Sequence, residues 1–126
     1  MRRVRALAAP ALLAAMLPPL ALAELVDIEW SPANRFERGF TVAPGKFAEL
    51  CGTLKQSSVV QWRFEGNAPS DFNIHYHVGK EVRTPTQQTQ VKLLSGDFTA
   101  PLDQDYCWMW TNKGSAPLRL QVKLRR

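Results

Sequence analysis

The stretch Phe72-Asn73-Ile74-His75-Tyr76-His77-Val78 decides the fold class of this chain. Apolar and polar residues alternate along it one by one, which is the pattern of a β-strand with one face in a core and the other toward solvent. The large apolar side chains would face inward, so the only two histidines, His75 and His77, would lie on the outer face. The stretch therefore predicts a half-buried strand that carries a histidine pair.

The same alternation recurs along most of the chain after residue 23. It is clear at residues 58–65, where Trp62 and Phe64 share one face, and at residues 118–124. Further strands are predicted at residues 25–30, 39–42, 47–54, 91–98 and 106–111. Turn-forming clusters at residues 66–70 and 112–115 interrupt the pattern, and residues 81–90 are predicted as a loop or an edge strand. About eight short strands without a helical period predict an all-β fold, an antiparallel, jelly-roll-like β-sandwich.

Residues 1–23 have the composition of a secretory signal peptide. A basic start with three arginines precedes an apolar run, and Ala21-Leu22-Ala23 is a small-x-small cleavage signature. Cleavage after Ala23 would leave one domain, residues 24–126, in the periplasm or outside the cell. The apolar run is shorter than the roughly 20 residues of a membrane span, so it is not expected to act as an anchor itself. No later stretch approaches a second hydrophobic span, so no membrane anchor is expected after cleavage.

Charge and cysteine content narrow the class of protein. Three of the 16 lysine and arginine residues lie in the predicted signal peptide, which leaves 13 basic and 11 acidic residues and a net charge of about +2. The remaining charges are scattered, so nucleic-acid binding is not expected. Cys51 and Cys107 are an even pair in a chain destined for an oxidising compartment, and this predicts one disulfide.

Two aromatic segments of the chain match the pattern of a known domain. The first is Val60-Gln61-Trp62-Arg63-Phe64 with Asp71-Phe72-Asn73-Ile74, and the second joins Gly96-Asp97-Phe98 to Asp105-Tyr106-Cys107-Trp108-Met109-Trp110-Thr111-Asn112. Together they resemble the GOLD domain, the luminal β-sandwich of the p24 cargo receptors, over about residues 41–124. The resemblance implies a compact sandwich for protein or lipid binding, not an enzyme, with a disulfide where Cys51 and Cys107 stand. Cargo-receptor function is not expected, because the sequence shows no coiled coil, transmembrane helix or cytoplasmic tail of the p24 type.

The sequence offers few residues for catalysis. It contains no glycine-rich phosphate loop and no G-x-S-x-G elbow, and a disulfide would occupy both cysteines. An enzyme is therefore the least favoured of three functional classes. The first is a non-catalytic binding or accessory protein of the cell envelope with a protein or small-ligand partner. The second is a small copper- or zinc-binding protein.

The histidine pair carries the metal hypothesis. Residues i and i+2 of a strand project from the same face about 6.5–7 Å apart, so two imidazoles there can converge on one ion. If the aromatic residues of 106–111 face inward, Met109 faces outward and becomes a candidate third ligand beside His75 and His77. A thioether next to two imidazoles suits copper better than zinc. A solvent-facing pair and a pH-sensitive contact patch are the alternatives, and the sequence leaves the choice open.

Aromatic residues are numerous for a domain of this size. Exposed tryptophans would serve as a platform for a ligand or a sugar. Most of the aromatic residues, however, occupy inward-facing positions of predicted strands, which favours a structural core. The residues assigned to this core are Trp62, Phe64, Phe72, Tyr106, Trp108 and Trp110. Trp30 stands at a strand end and is expected to be partly exposed. Asn112 is expected to stabilise the turn after the aromatic strand, by a side-chain cap or a positive φ.

Overall fold

The computed structural model describes residues 8–11 and 23–126. The predicted signal peptide, residues 1–23, lies largely outside the described residues and stays a prediction. The described part contains the strands β1 (Glu24–Asp27), β2 (Arg35–Val42), β3 (Phe47–Leu54), β4 (Val59–Val78), β5 (Glu81–Thr99), β6 (Gln104–Thr111) and β7 (Leu118–Arg125). Within these same ranges, no helix has both the length and the hydropathy that a membrane crossing requires.

The strands form a β-sandwich whose two layers share one long hairpin. β4 and β5 pair antiparallel along most of their length. The first half of β4 also pairs with β7, which pairs with β2. Its second half pairs with β6, which pairs with β3, and β3 pairs with β1. Because β4 passes from one layer to the other, the two layers enclose a common core, and the predicted all-β sandwich is confirmed.

The change of layer occurs at residues 66–70, which the sequence predicts as a turn. The structure keeps these residues inside β4, and the pairing with β5 shifts register between Glu65 and Ser70. Gly66 is needed at this bend, because a Cβ there would lie 2.9 Å from the carbonyl oxygen of Ala68 and 3.2 Å from a methyl carbon of Leu120. The turn prediction is wrong, since this Gly- and Pro-containing cluster bends a strand without reversing the chain.

Three further expectations need correction. Residues 81–90 form the first half of β5, so the edge alternative holds and the loop alternative is wrong. Residues 58–65 and 72–78 belong to one strand, which leaves fewer strands than predicted. β1 ends at Asp27 and pairs parallel with β3, so the sandwich is not purely antiparallel. The reason is that β1 and β2 lie in different layers, and no hairpin joins them.

Aromatic side chains fill much of the core. All six residues assigned to it are buried, and Trp62, with 6% of its surface accessible, is the most exposed of them. Phe64 and Phe72, from the two halves of β4, lie 4.8 Å apart between ring centroids. Each of them lies 5.5 Å from the ring of Trp110. The rings thus connect the two layers across the bend, while Trp30 is only partly buried.

Asn112 ties the end of β6 to two other segments. It is buried, and its side-chain amide donates hydrogen bonds to the carbonyl oxygens of Val42 and Ala116. Its Oδ1 accepts a hydrogen bond from the backbone N–H of Gly114. Its φ is not positive. Of the two predicted arrangements, the structure therefore has the side-chain cap.

Tyr106 closes the loop before β6. Its hydroxyl donates a hydrogen bond to the carbonyl oxygen of Leu102 at 2.6 Å and accepts one from the Leu102 N–H at 3.2 Å. This contact to the backbone a few residues upstream resembles the tyrosine corner of Greek-key sandwiches. Burial raises the pKa of Tyr106, so the hydroxyl keeps the proton that the contact needs.

Candidate binding face

The outer side of the layer formed by β1, β3, β6 and the second half of β4 carries the candidate site residues. We call it the histidine face. Its members are the outward residues Leu25, Asp27, Phe47, Glu49, Cys51, Thr53, Asp71, Asn73, His75, His77, Asp105, Cys107, Met109 and Thr111. The residues between them, such as Leu50, Ile74 and Trp108, are fully buried in the core. Period-two alternation therefore determines which side chains share this face.

Strand register arranges the centre of the histidine face in rows. Cys51, Cys107 and His75 are neighbours across β3, β6 and β4. Glu49, Met109 and Asn73 form the adjacent row in the same three strands. Neighbouring strands lie about 4.8 Å apart, so the side chains of one row can contact one another directly.

His75 is held on both sides of its ring. Its Nε2 lies 2.9 Å from Glu49 Oε1, and its Nδ1 lies 2.7 Å from Asn73 Oδ1. Two protonation patterns satisfy these contacts: an imidazolium that donates to both oxygens, or a neutral ring that donates to one while the Asn73 amide group donates to the other nitrogen. Only 7% of the residue is exposed. His75 thus points away from the core, as expected. The alternative that it faces solvent is wrong, because neighbouring side chains of the outer face cover its ring.

His77 has different surroundings, although it lies on the same face. It is exposed, and its ring meets that of His75 edge to face with centroids 5.5 Å apart. Met109 is half-buried in β6, opposite Asn73. The structure therefore brings all three candidate metal ligands onto neighbouring strands of one face. Whether they bind a metal stays a prediction.

The disulfide between Cys51 and Cys107 lies on this face as well. The two residues are direct cross-strand partners with Cα atoms 4.1 Å apart, and the predicted bridge is confirmed. A cleft of about 560 Å³ runs beside it, lined by both cysteines and by Asp27, His77 and Asp105 among others. A cleft that contains two carboxylates thus adjoins the half-buried bridge.

The charges of the two outer faces differ in sign. The histidine face carries four carboxylates, those of Asp27, Glu49, Asp71 and Asp105, and no lysine or arginine. We call the outer side of β2, β7 and the first half of β4 the arginine face. Its charged residues are Arg35, Glu37, Arg63, Glu65, Arg119, Lys123 and Arg125. Since five of these seven are basic, the sandwich is polarised across its thickness.

In the described part of the chain, the His75 ring has no nucleophilic side chain among its hydrogen-bond partners. Within residues 23–126, the hydrogen-bond partners of the His75 ring are Glu49 and Asn73, with no hydroxyl or thiol among them. Both cysteines are bonded to each other, and no free cysteine exists in this part of the chain. One carboxylate oxygen of Glu49 and the two sulfur atoms lie within 4.8 Å of one another. A disulfide offers a metal no thiolate, so this group is not a metal site in the oxidised protein.

Sequence reasoning did not find Glu49 and Asn73, the two residues that hold His75. Both residues occupy outward-facing positions in predicted strands, and these positions were the sequence feature that could have indicated their role. The missing information was strand order, because Glu49 and His75 are separated by β6 and by 26 positions in the chain. Only the order β3-β6-β4 brings them within hydrogen-bond distance.

Comparisons with known proteins identify the fold. No protein-family model matches the chain, and no curated protein matches it in sequence. The pre-peptidase C-terminal domain of a collagenase from Bacillus anthracis is similar in structure, with a TM-score of 0.63 at 7% identity over 82% of this chain and 96% of that one. PliG from Aeromonas hydrophila, a periplasmic inhibitor of g-type lysozyme, has a TM-score of 0.58 at 13% identity over 82% and 98%.

A third similar structure is the Yersinia pseudotuberculosis-derived mitogen, with a TM-score of 0.58 at 12% identity over 74% of this chain and 86% of that one. At these identities the likeness concerns the sandwich fold alone. None of the comparisons tests the resemblance to GOLD domains, which stays a prediction.

Proposed function

We propose that the chain is a non-catalytic binding domain of the cell envelope that recognises a cationic surface of a protein partner through its histidine face. The observation that carries the proposal is the charge pattern of that face, which has four carboxylates and no lysine or arginine. Complementary charge steers association and suppresses wrong partners. The fold supports this assignment, because it is shared with an accessory domain of a collagenase and with an inhibitor protein.

The cleft beside the disulfide is the centre of the proposed contact. Asp27 and Asp105 are exposed and line it, together with His77. Glu49 and His75, by contrast, already satisfy each other at 2.9 Å. A basic side chain of the partner would therefore pair with the exposed carboxylates, while the buried pair keeps the face rigid.

PliG is an inhibitor of g-type lysozyme, and this supplies a concrete partner to test, a g-type lysozyme. Residues 24–126 would be mixed with a g-type lysozyme, and both calorimetric binding and inhibition of cell-wall lysis would be measured. We expect a saturable complex with a dissociation constant of about 10 μM or tighter. The double substitution Asp27→Asn and Asp105→Asn should weaken it at least about tenfold and lower its salt dependence, since it removes complementary charge.

Arg63→Gln is the control, because it neutralises an exposed charge on the opposite, arginine face. It should leave binding unchanged. Absence of any complex would reject a g-type lysozyme as the partner. Equal weakening by Arg63→Gln and by the double substitution would reject the histidine face as the contact surface.

Metal binding at His75 and His77, with Met109 as third ligand, is the second candidate function. The contact between the two imidazole rings favours it, with centroids 5.5 Å apart. Cu(I), Cu(II) and Zn(II) would be titrated into the oxidised protein and into His75→Ala and His77→Ala. Saturable binding that both substitutions weaken would support this site. No binding tighter than about 10 μM would reject it.

A further inference from the structure

The disulfide lies beside other side chains that could bind a metal ion, which a purely structural bridge does not require. Cys51, Cys107 and His75 occupy one row across three neighbouring strands. Glu49 lies two residues from Cys51 on the same face, with Oε1 2.9 Å from His75 Nε2. A carboxylate oxygen of Glu49 and both sulfur atoms lie within 4.8 Å of one another. Glu49 therefore lies near both sulfur atoms and also contacts the His75 ring, which connects all four groups of metal-ligating type.

A tetrahedral zinc site would set the spacing that these four groups have to reach. Zinc bonds of about 2.0–2.3 Å place neighbouring ligand atoms about 3.3–3.8 Å apart. The atoms of Glu49 and His75 lie closer together than this, at 2.9 Å, and the Glu49 carboxylate oxygen and the two sulfur atoms lie within 4.8 Å of one another. Once reduction removes the S–S bond, rotation of the side chains would have to bring the two thiolates, the imidazole and the carboxylate into this geometry.

Asn73 prepares the histidine for such a role. Its Oδ1 lies 2.7 Å from His75 Nδ1 and can accept a hydrogen bond from the N–H of that nitrogen. A neutral ring with this hydrogen bond would present the lone pair of Nε2 to a bound metal ion, in place of the contact that Nε2 makes with Glu49 in the metal-free protein. Metal-bound histidines commonly donate their second ring N–H in this way, which fixes both the tautomer and the orientation of the ring.

We propose that reduction of the Cys51–Cys107 disulfide converts this row into a Zn²⁺ site, with both thiolates, His75 Nε2 and the Glu49 carboxylate as ligands. The oxidised sulfurs cannot serve, so the site exists only in the reduced protein. It differs from the His75–His77 candidate because His77 and Met109 take no part. The proposal is independent of partner binding and goes beyond the proposed function.

The chemistry needs a dithiol reductant. One of its thiolates attacks a sulfur of the bridge, the S–S bond breaks, and a mixed disulfide forms. The second thiol of the reductant then releases the protein cysteine and closes its own disulfide. Two electrons and two protons have passed to Cys51 and Cys107. On binding Zn²⁺, each of the two thiols loses its proton to solvent.

Spectroscopy of the reduced protein tests the proposal. Residues 24–126 would be reduced with a water-soluble phosphine, which takes an oxygen atom from water as it becomes the phosphine oxide, and Co²⁺ would be titrated as the probe. We expect one Co²⁺ per chain, with thiolate-to-cobalt charge-transfer bands and tetrahedral d–d bands. Zn²⁺ should displace it. The oxidised protein should show neither set of bands.

Two single substitutions separate this site from its neighbours. His75→Ala in the reduced protein should weaken Co²⁺ binding at least about tenfold. His77→Ala is the matched control, since it removes an imidazole from the same strand face, and it should leave the affinity unchanged. Equal binding by oxidised and reduced protein would overturn the proposal, as would equal losses for the two substitutions.

The zinc site can be tested even if reduction of the disulfide unfolds the protein. Near-ultraviolet circular dichroism of the buried tryptophans reports whether the sandwich is intact. If the reduced protein unfolds, Zn²⁺ should restore that signal in the wild type and in His77→Ala but not in His75→Ala, because ligand binding is coupled to folding. Metal binding without recovery of the signal would overturn the proposal.

Discussion

The two outer faces of the sandwich follow the same alternating pattern but have different physical properties. On the histidine face, Glu49 and His75 lie 2.9 Å apart with side-chain exposures of 16% and 9%. On the arginine face, Glu37 and Lys123 lie 3.8 Å apart with exposures of 61% and 58%. The comparison shows that alternation determines which side of a strand is outside, whereas the neighbouring side chains determine how much water reaches it.

The faces also differ in how their strands are connected. A disulfide joins two central strands of the histidine face. Hydrogen bonds between exposed side chains, such as those from Arg125 to Gln61, take its place on the arginine face. Contacts between solvent-exposed side chains contribute little to the free energy of unfolding, whereas a covalent link or a contact shielded from water contributes more. We therefore expect substitutions on the histidine face to have larger effects than their counterparts on the arginine face.

The largest difference should come from the disulfide. Replacing Cys51 and Cys107 by serine opens a link with a sequence separation of 56 residues. Loop-closure entropy predicts a loss of about 4 kcal/mol in the free energy of unfolding. Urea denaturation followed by tryptophan fluorescence measures it. The control Glu37→Gln with Lys123→Gln should change the free energy by less than about 0.5 kcal/mol. Similar losses for both variants would contradict the comparison.

Two asparagines provide the next test. Asn112 is buried and makes three side-chain hydrogen bonds at the end of β6. Asn67 is exposed and accepts one hydrogen bond from the N–H of Arg119, beside the arginine face. Asn112→Ala should lower the free energy of unfolding by about 2 kcal/mol, because it leaves buried backbone groups without partners. Asn67→Ala should lower it by only a few tenths. Thermal and urea denaturation would compare them, and equal effects would show that burial at this turn is unimportant.

The histidines allow a comparison within one face. His75→Ala removes a buried ring with partners on both nitrogens, so we expect a loss of about 1.5 kcal/mol. His77→Ala removes an exposed ring and should change the free energy of unfolding by less than about 0.5 kcal/mol. Urea denaturation near neutral pH measures both. If the two substitutions were equivalent, the packing of Glu49 and Asn73 around His75 would contribute nothing.

The smallest expected effect on stability is that of Asp71, and it depends on pH. Hydrogen bonds from the side chain and the backbone N–H of Gln90 lower the pKa of Asp71 below its ordinary value of 3.8. A lowered pKa in the folded state stabilises the protein above pH 3.8, and this stabilisation is lost as the pH falls through the folded-state pKa. Asp71→Asn should therefore be less stable than wild type at neutral pH, and the difference should shrink in acid. A difference that is the same at neutral and acidic pH would contradict this assignment.

Prediction from the sequence was most successful where one strand alone carries the information. The alternation in residues 47–54 predicts β3 with the bounds that the structure has. It also assigns Trp108 and Trp110 to the core, where both are fully buried. The alternating pattern was sufficient to predict burial in these two strands, because any sandwich buries the apolar side of its strands.

Prediction was least successful where one strand serves both layers. The cluster at residues 66–70 has the composition of a turn, yet pairing with β5 on one side, and with β7 and β6 in succession on the other, keeps β4 continuous. Hydrogen bonds to partners distant in sequence outweighed local preference there. The exposure of His75 was mispredicted for a similar reason, since Glu49 approaches it from β3, two strands away.

The sequence by itself determined the class of fold, the aromatic core, the outward direction of His75 and His77 and the pairing of the only two cysteines. All of these follow from local alternation or from counting residues of one type. Only the tertiary structure decided the order β3-β6-β4, and with it the row of Cys51, Cys107 and His75 beside Glu49. The physical reason is that strand order depends on hydrogen bonds and packing between segments far apart in the chain, and a local pattern of hydrophobicity does not encode these contacts.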